Sequence, residues 1–254
     1  MEFWNNILQL PSRCLLNKKI TKAFFKRNFD LTVAERSLLD KQIESIDWFA
    51  SLSPENTNIS TYSDPEVSYE EVQIILADIS VGNLESEHAK VAELIHKNIP
   101  YAIFLCVYNS EQMVWSTFNK RVNQKDASKR IIDKRHFTEL LSLNKCSEVQ
   151  QLFLNSLAFS QLDKTNLYQL YNNYTERIFA LQASALNSTF LVRTQSRTET
   201  DMLLLERIAL LQQEIVSLSL TAKKETQLNR QVNLNLQLQS KRSEMAQLKL
   251  KIVE

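Results

Sequence analysis

The amino-acid sequence predicts an α/β (α+β) N-terminal domain, with a small sheet and covering helices, followed by an α-helical region and a long C-terminal amphipathic, coiled-coil-like helix or helical hairpin. Three observations lead there. Short apolar runs over residues 72–79, 101–108 and 113–118 have strand length, and a helical period separates the first two. Beyond Cys146 the periodic stretches repeat as helices do. From about Thr200 onward the apolar residues fall at heptad spacing. The expected organisation is a mixed α/β domain over 1–145, a helical extension and linker over 146–199, and a coiled-coil-like segment over 200–254.

Taken in order, residues 18–28 suit a short helix with Ile20, Phe24 and Phe25 inward. Thr32 and Glu35 match a capping box that opens a helix through Leu38, Leu39, Ile43 and Ile46. Pro54, with Asn56 and Asn58, closes that unit. A β signal begins near Thr57. It is strongest where Val72, Ile74, Ile75, Leu76 and Ile79 predict a strand buried on both faces. Residues 88–97 are helical by period, Pro100 stops them, and Asn109 with Ser110 turns the second apolar run into the third. Residues 148–159 and 166–186 carry helical stripes, the second through Leu167, Leu170, Tyr171, Tyr174, Ile178 and Leu181. The polar, aperiodic stretch 188–200 is expected to be a linker.

The terminal segment holds two apolar frames. Leu204, Ile208, Leu211, Ile215, Leu218 and Ala222 form one; Leu234, Leu238, Met245, Leu248 and Ile252 form another, displaced by two residues. At roughly 100° per residue, the frames face nearly opposite sides of one continuous helix. They meet only if the chain folds back over 223–229. No glycine or proline marks such a turn, which favours the continuous helix, with two seams able to bridge two bodies. Residues 232–238 alternate as a strand would, but their Lys, Gln, Arg and Glu flanks favour a helix.

Composition narrows the function classes. An apolar fraction of 44% allows a sizeable core, and a net charge of +1 excludes a strongly basic chromatin-type protein. Gly82 is the sole glycine, which excludes phosphate-binding loops that need at least two. Cys14, Cys106 and Cys146 form no CxxC pair, and His88, His96 and His136 lack ligand spacing. No metal or cofactor is expected. No apolar run reaches membrane-spanning length and no basic n-region opens the chain, so a soluble cytoplasmic protein without membrane association is expected.

Three groups of residues carry candidate chemistry. Glu70, Glu71 and Asp78, with Lys120 and Arg121 further on, have the residue types of a Mg²⁺-dependent nuclease, although no D/E-x-K triplet follows Asp78. Solvated strand-end acids account for them as well. Two basic patches suit phosphate contacts: Lys18, Lys19, Lys22, Lys26 and Arg27, with a four-residue recurrence and no acid among them, and Lys120, Arg121, Lys125, Lys129 and Arg130 within the basic stretch 120–135. Neither patch shows aromatic interleaving for base stacking, so sequence-specific reading of single strands is not expected. Trp4, Trp48 and Trp115 read as core or interface anchors. The third group is the seam itself, Leu204, Ile208, Leu211, Ile215, Leu218, Leu234, Leu238, Met245, Leu248 and Ile252, expected to bind a partner helix.

Leu10-Pro11, the run from Tyr69 to Ile74, Ile99-Pro100-Tyr101 and the polar stretch from Lys224 to Asn235 together resemble a bacterial family catalogued as a domain of unknown function. The resemblance runs over nearly the whole chain. Its members are typically encoded beside DNA methyltransferases and superfamily-two helicases, in loci that look like restriction or anti-phage defence islands. It therefore implies a non-catalytic accessory subunit with a methyltransferase or helicase partner. Two alternatives stand beside it: a degenerate Mg²⁺-dependent nuclease, and a homodimeric structural coiled-coil protein.

Overall fold

The computed structural model describes residues 1–79, 82–124, 126–187, 189–193 and 195–253. The chain divides into two compact units, Met1–Ile178 and Phe179–Glu254.

The first unit is built on a mixed sheet. In chain order its elements are α1 (Glu2–Leu8), β1 (Leu15–Lys19), α2 (Lys22–Asn28), α3 (Val33–Lys41), β2 (Ser45–Leu52), α4 (Pro54–Thr57), the small β3–β4 pair (Tyr62–Ser63 and Ser68–Tyr69) and β5 (Val72–Asp78). There follow α5 (Leu84–Asn98), β6 (Ala102–Tyr108), β7 (Gln112–Asn123), β8 (Asp126–Phe137), β9 (Leu141–Ser142), α6 (Glu148–Ser156) and α7 (Leu167–Asn187), whose last turns belong to the second unit. The strands lie in the order β1-β2-β5-β6-β7-β8, with β9 also on β7. Among the described strands only β5 and β6 run parallel, because α5 carries the chain back between them.

Central β5 is buried on both faces, as its apolar run predicts. On one face Ile75, Ala77, Ile103, Leu105, Val114 and Phe118 meet Phe25, Leu39, Val91 and Ile95 of α2, α3 and α5. On the other, Trp115 stacks on Phe104 at 4.5 Å and Phe104 on Tyr174 of α7 at 4.0 Å, while Trp4 of α1 closes on Trp115 at 5.8 Å. Polar bonds fix α7 there. The Tyr171 hydroxyl accepts from Phe118 N at 2.9 Å and lies 3.0 and 3.2 Å from the carbonyls of Phe118 and Ile103, to either of which it donates. Thr175 donates to Thr117 at 2.8 Å, and the Arg177 guanidinium donates to the carbonyls of Ser156, Gln161 and Asn173. These bonds place residues 146–178 in the sheet unit rather than in a separate extension.

Several local expectations shift. The helix expected over 18–28 begins only at Lys22, where the Thr21 hydroxyl accepts from Phe24 N at 3.1 Å; residues 15–19 are edge strand β1. The Thr32–Glu35 capping box forms, but its helix ends at Lys41, and Ile46 enters β2, where sheet pairing overrides the helical period. Most of the basic stretch 120–135 lies in β7 and β8, which pair antiparallel. Pro54 opens short helix α4 as its first residue. With one glycine available, positive φ falls on Gln9, Asn17 and Asn58, and asparagine is the better-suited substitute.

In the second unit, α8 (Gln195–Lys224) and α9 (Leu228–Val253) form an antiparallel hairpin, so the continuous helix is not what the chain adopts. The turn needs neither glycine nor proline, because the Glu225 carboxylate accepts from Thr226 N and Gln227 N at 2.9 and 2.8 Å. Reversing the chain brings the two frames face to face: Ile215, Ala222 and Leu238 form a core that Leu218, Leu234 and Met245 complete. Arg207 pairs with Glu244 and Lys241 with Glu214 across it. At the open end, buried Asp201 ion-pairs with Arg193 at 3.2 Å and Arg197 at 3.1 Å, and both arginines donate to the last carbonyls of α9, Ile252 and Lys251.

Two expected outcomes follow from this packing. Tyr171→Phe leaves Phe118 N and a strand carbonyl without a partner inside the core, and denaturant melts should show a loss of about 1–3 kcal/mol. Asp201→Ala removes the carboxylate that Arg193 and Arg197 share, and should lower hairpin stability by roughly 1.5–3 kcal/mol, read as faster amide exchange in the first turns of α8.

Candidate functional site

Among the concavities of the first unit is a pocket of about 430 Å³ where β1, β2 and β5 meet α2; a larger one, of about 710 Å³, opens between α3 and α5. Its walls are Phe24 and Phe29 from α2 and its end, Trp48 from β2, Ile75 from β5, and Ile99 with Tyr101 ahead of β6. Lys18 and Lys19 of β1 and Arg27 of α2 also line it, all three exposed to solvent. The site is therefore apolar inside and cationic at its mouth.

Strand irregularities shape it. β1 slips by one residue against β2 between Leu15 and Lys18, next to Asn17 at φ 49°, and β2 slips against β5 between Trp48 and Ala50. Bulges of this kind re-aim side chains at sheet edges. Here they flank Lys18, Lys19 and Trp48. The Trp48 indole N–H donates to Gln73 Oε1. The Gln73 amide nitrogen donates in turn to Glu71 and, at 3.4 Å, to the Ser51 hydroxyl. Gln73 is 1% exposed, so this network lies beneath the pocket and holds the indole in one orientation.

The first basic patch thus divides in two. Because residues 15–19 are strand, Lys18 does not stack above Lys22 and Lys26 on one helix face. Lys18, paired with Trp48, faces the pocket side of β1 and Arg27 lines the pocket from α2, while Lys19, paired with Asp47, turns its side chain to the other face of the strand; Lys26 ion-pairs with Asp40 of α3 at 2.7 Å and Lys22 donates to the Asp40 carbonyl at 3.3 Å.

In the second patch Lys120 is withdrawn from any phosphate. Its ammonium is buried and donates to the carbonyls of Ile99 and Tyr101 at 2.6 and 2.7 Å, behind the pocket wall. Arg121 is exposed beside Glu66, Asn123 and Gln124, and Arg130 is half-buried. Lys125 and the side chain of Lys129 lie outside the described residues. Next to Lys120, the His96 ring stacks on Phe118 at 3.9 Å in the core; burial, aided by Lys120, holds it well below the usual imidazole range.

The acidic group does not assemble. Glu70 and Glu71 precede β5 and Asp78 ends it, which at ~3.3 Å per residue places Glu71 and Asp78 roughly 20 Å apart, too far to share one ion. Among the described residues no cluster of His, Cys, Asp and Glu could hold a metal ion. The seam residues point largely into their own hairpin: Leu211, Ile215, Leu238 and Ile252 are buried, and Leu204, Ile208, Leu218, Leu234, Met245 and Leu248 are half-buried. What α9 leaves outside is another stripe, Leu228, Val232, Leu236 and Leu250, all exposed.

Sequence reasoning missed Phe24, Phe29, Trp48, Gln73 and Tyr101 as parts of one site. Only Phe24 and Phe29 lie near the basic run in sequence, and strand pairing brings in the others. Burial, with Arg130 adding repulsion, pushes the Lys120 ammonium from 10.5 down to about 7. Between those values the unfolded chain holds a proton that the folded chain has released, so this group makes stability rise with pH. Relative to Lys120→Met, the wild type should gain stability as pH is raised above neutrality, measured by parallel denaturant melts; a pH-independent difference would show that the group keeps its charge.

Among the described residues, no helix is long and apolar enough to cross a membrane. No curated protein and no solved structure matches the chain. Residues 8–245 match the family described as "Domain of unknown function (DUF4391)", and the chain belongs to that family.

Proposed function

We propose that the chain is a non-catalytic accessory subunit of a bacterial DNA-targeting, restriction-like or anti-phage defence complex, contacting nucleic acid through its first unit and docking on a methyltransferase or helicase partner through its C-terminal hairpin. The observation that carries the nucleic-acid part is the placing of Lys18 and Arg27, two exposed cations from two elements, at one pocket, on a chain of net charge +1. Exposed lysines and arginines so grouped neutralise adjacent phosphates and release their counterions. The kind of partner comes from the resemblance to proteins encoded beside methyltransferases and helicases. The outer stripe of α9 supports a docking role, since an apolar row opposite the hairpin's own seam needs cover of its own. The nuclease alternative is disfavoured by the separation of Glu71 from Asp78 along β5.

Replacing Lys18 and Arg27 with alanine should weaken DNA binding and flatten the dependence of log K on log salt by about 2. Lys22→Ala should leave both unchanged, because Lys22 is turned toward α3. Equal effects of the two variants would show that charge anywhere on the surface suffices. Val232→Asp with Leu236→Asp should abolish co-purification with the products of neighbouring methyltransferase or helicase genes while the hairpin stays folded. Retained co-purification, or a stable dimer of the chain alone lost in this variant, would favour self-association instead.

A further inference from the structure

We propose that the pocket between β1, β2 and α2 is a receptor for one unpaired nucleobase, the base entering between aromatic walls while its flanking phosphates lie on Lys18 and Arg27. This rests on the nucleic-acid reading above and narrows it to an extrahelical or strand-terminal nucleotide. Phosphate alone would require no cavity; cations on a flat surface bind a duplex backbone. Here exposed Lys18 and Arg27 border an apolar recess of about 430 Å³, within the range of small-ligand sites. A ligand matching both parts is flat and apolar at one end and anionic at the other. A nucleotide has that form, and a base still stacked in a duplex cannot enter.

The walls are prepared for stacking. Phe24 and Tyr101 are 42% and 40% exposed, large aromatic rings left uncovered at the mouth. Trp48 is half-buried and lines the pocket, and its indole N–H is already engaged by Gln73, so the ring brings no free donor. The Gln73 amide nitrogen is likewise engaged by Glu71 and Ser51. Stacking without hydrogen-bond readout accepts every base, so the site should show little sequence preference.

The test uses the full-length chain and its intrinsic fluorescence. Trp4 and Trp115 are 5% and 0% exposed, so quenching by an added strand reports on Trp48. The probes are a short oligothymidylate, an abasic oligonucleotide of equal length and charge, a duplex, and an acidic peptide containing one aromatic residue. Oligothymidylate should quench Trp48 and bind about 5- to 150-fold more tightly than the abasic strand. Phe24→Ala and Tyr101→Ala, both at exposed rings, should each narrow that gap without changing abasic or duplex binding. Equal binding of thymidylate, abasic strand and duplex overturns the base site and leaves the phosphate reading standing. No binding by any oligonucleotide at low salt overturns both. Preferential quenching by the peptide assigns the pocket to a protein segment and overturns the proposal.

Discussion

Burial of β5 on both faces is the constraint from which the first unit follows. A strand with Val72, Ile74 and Leu76 on one side and Ile75 and Ala77 on the other must be covered twice. Its parallel neighbour β6 can be reached only by a crossover, which α5 supplies on the α2–α3 side. The opposite side is closed by the aromatic column from Trp4 to Tyr174 and by α7. Gln73 is the polar side chain trapped in this arrangement. Its demand for partners draws in Trp48, Glu71 and Ser51, and that network fixes the indole beneath the pocket. A packing constraint at the centre of the sheet thereby prepares the site at its edge.

The elements legible in the sequence are those whose pattern is local. β5, α5, β6 and the Asn109 turn were readable because an uninterrupted apolar run, a helical period and a capping or turn residue each act over a few positions. Thr32 with Glu35 likewise announced α3 correctly. β1, β2 and β8 were not readable. Ser45–Leu52 continues the helical period of α3 for its first residues, and 126–137 is so charged that only pairing with β7 makes it a strand. In both places cross-strand contacts outweigh local propensity.

The same distinction applies to the site and the hairpin. The cations at 18 and 27 were visible within a charge run, but their separation from Lys22 and Lys26 depends on a strand ending at Lys19. The aromatic walls come from positions 24, 29, 48 and 101, and no spacing rule joins the last two to the run. For the terminal segment, the two-residue offset between frames shows that they can meet only if the chain folds back, but not that it does so. Glu225 N donates to the Thr221 carbonyl at the end of α8 and its carboxylate accepts from the amides ahead of α9, so lack of glycine says little about where a helix stops.

The central claim is that a single-stranded nucleic acid meets this protein at the pocket between β1, β2 and α2. Photocross-linking a bromouracil-substituted single strand to the full-length chain, with the adducts mapped by mass spectrometry, tests it most directly. The account predicts adducts on peptides carrying Phe24, Trp48 or Tyr101. Adducts confined to the β7–β8 hairpin around Arg121, or to α8 and α9, would contradict it.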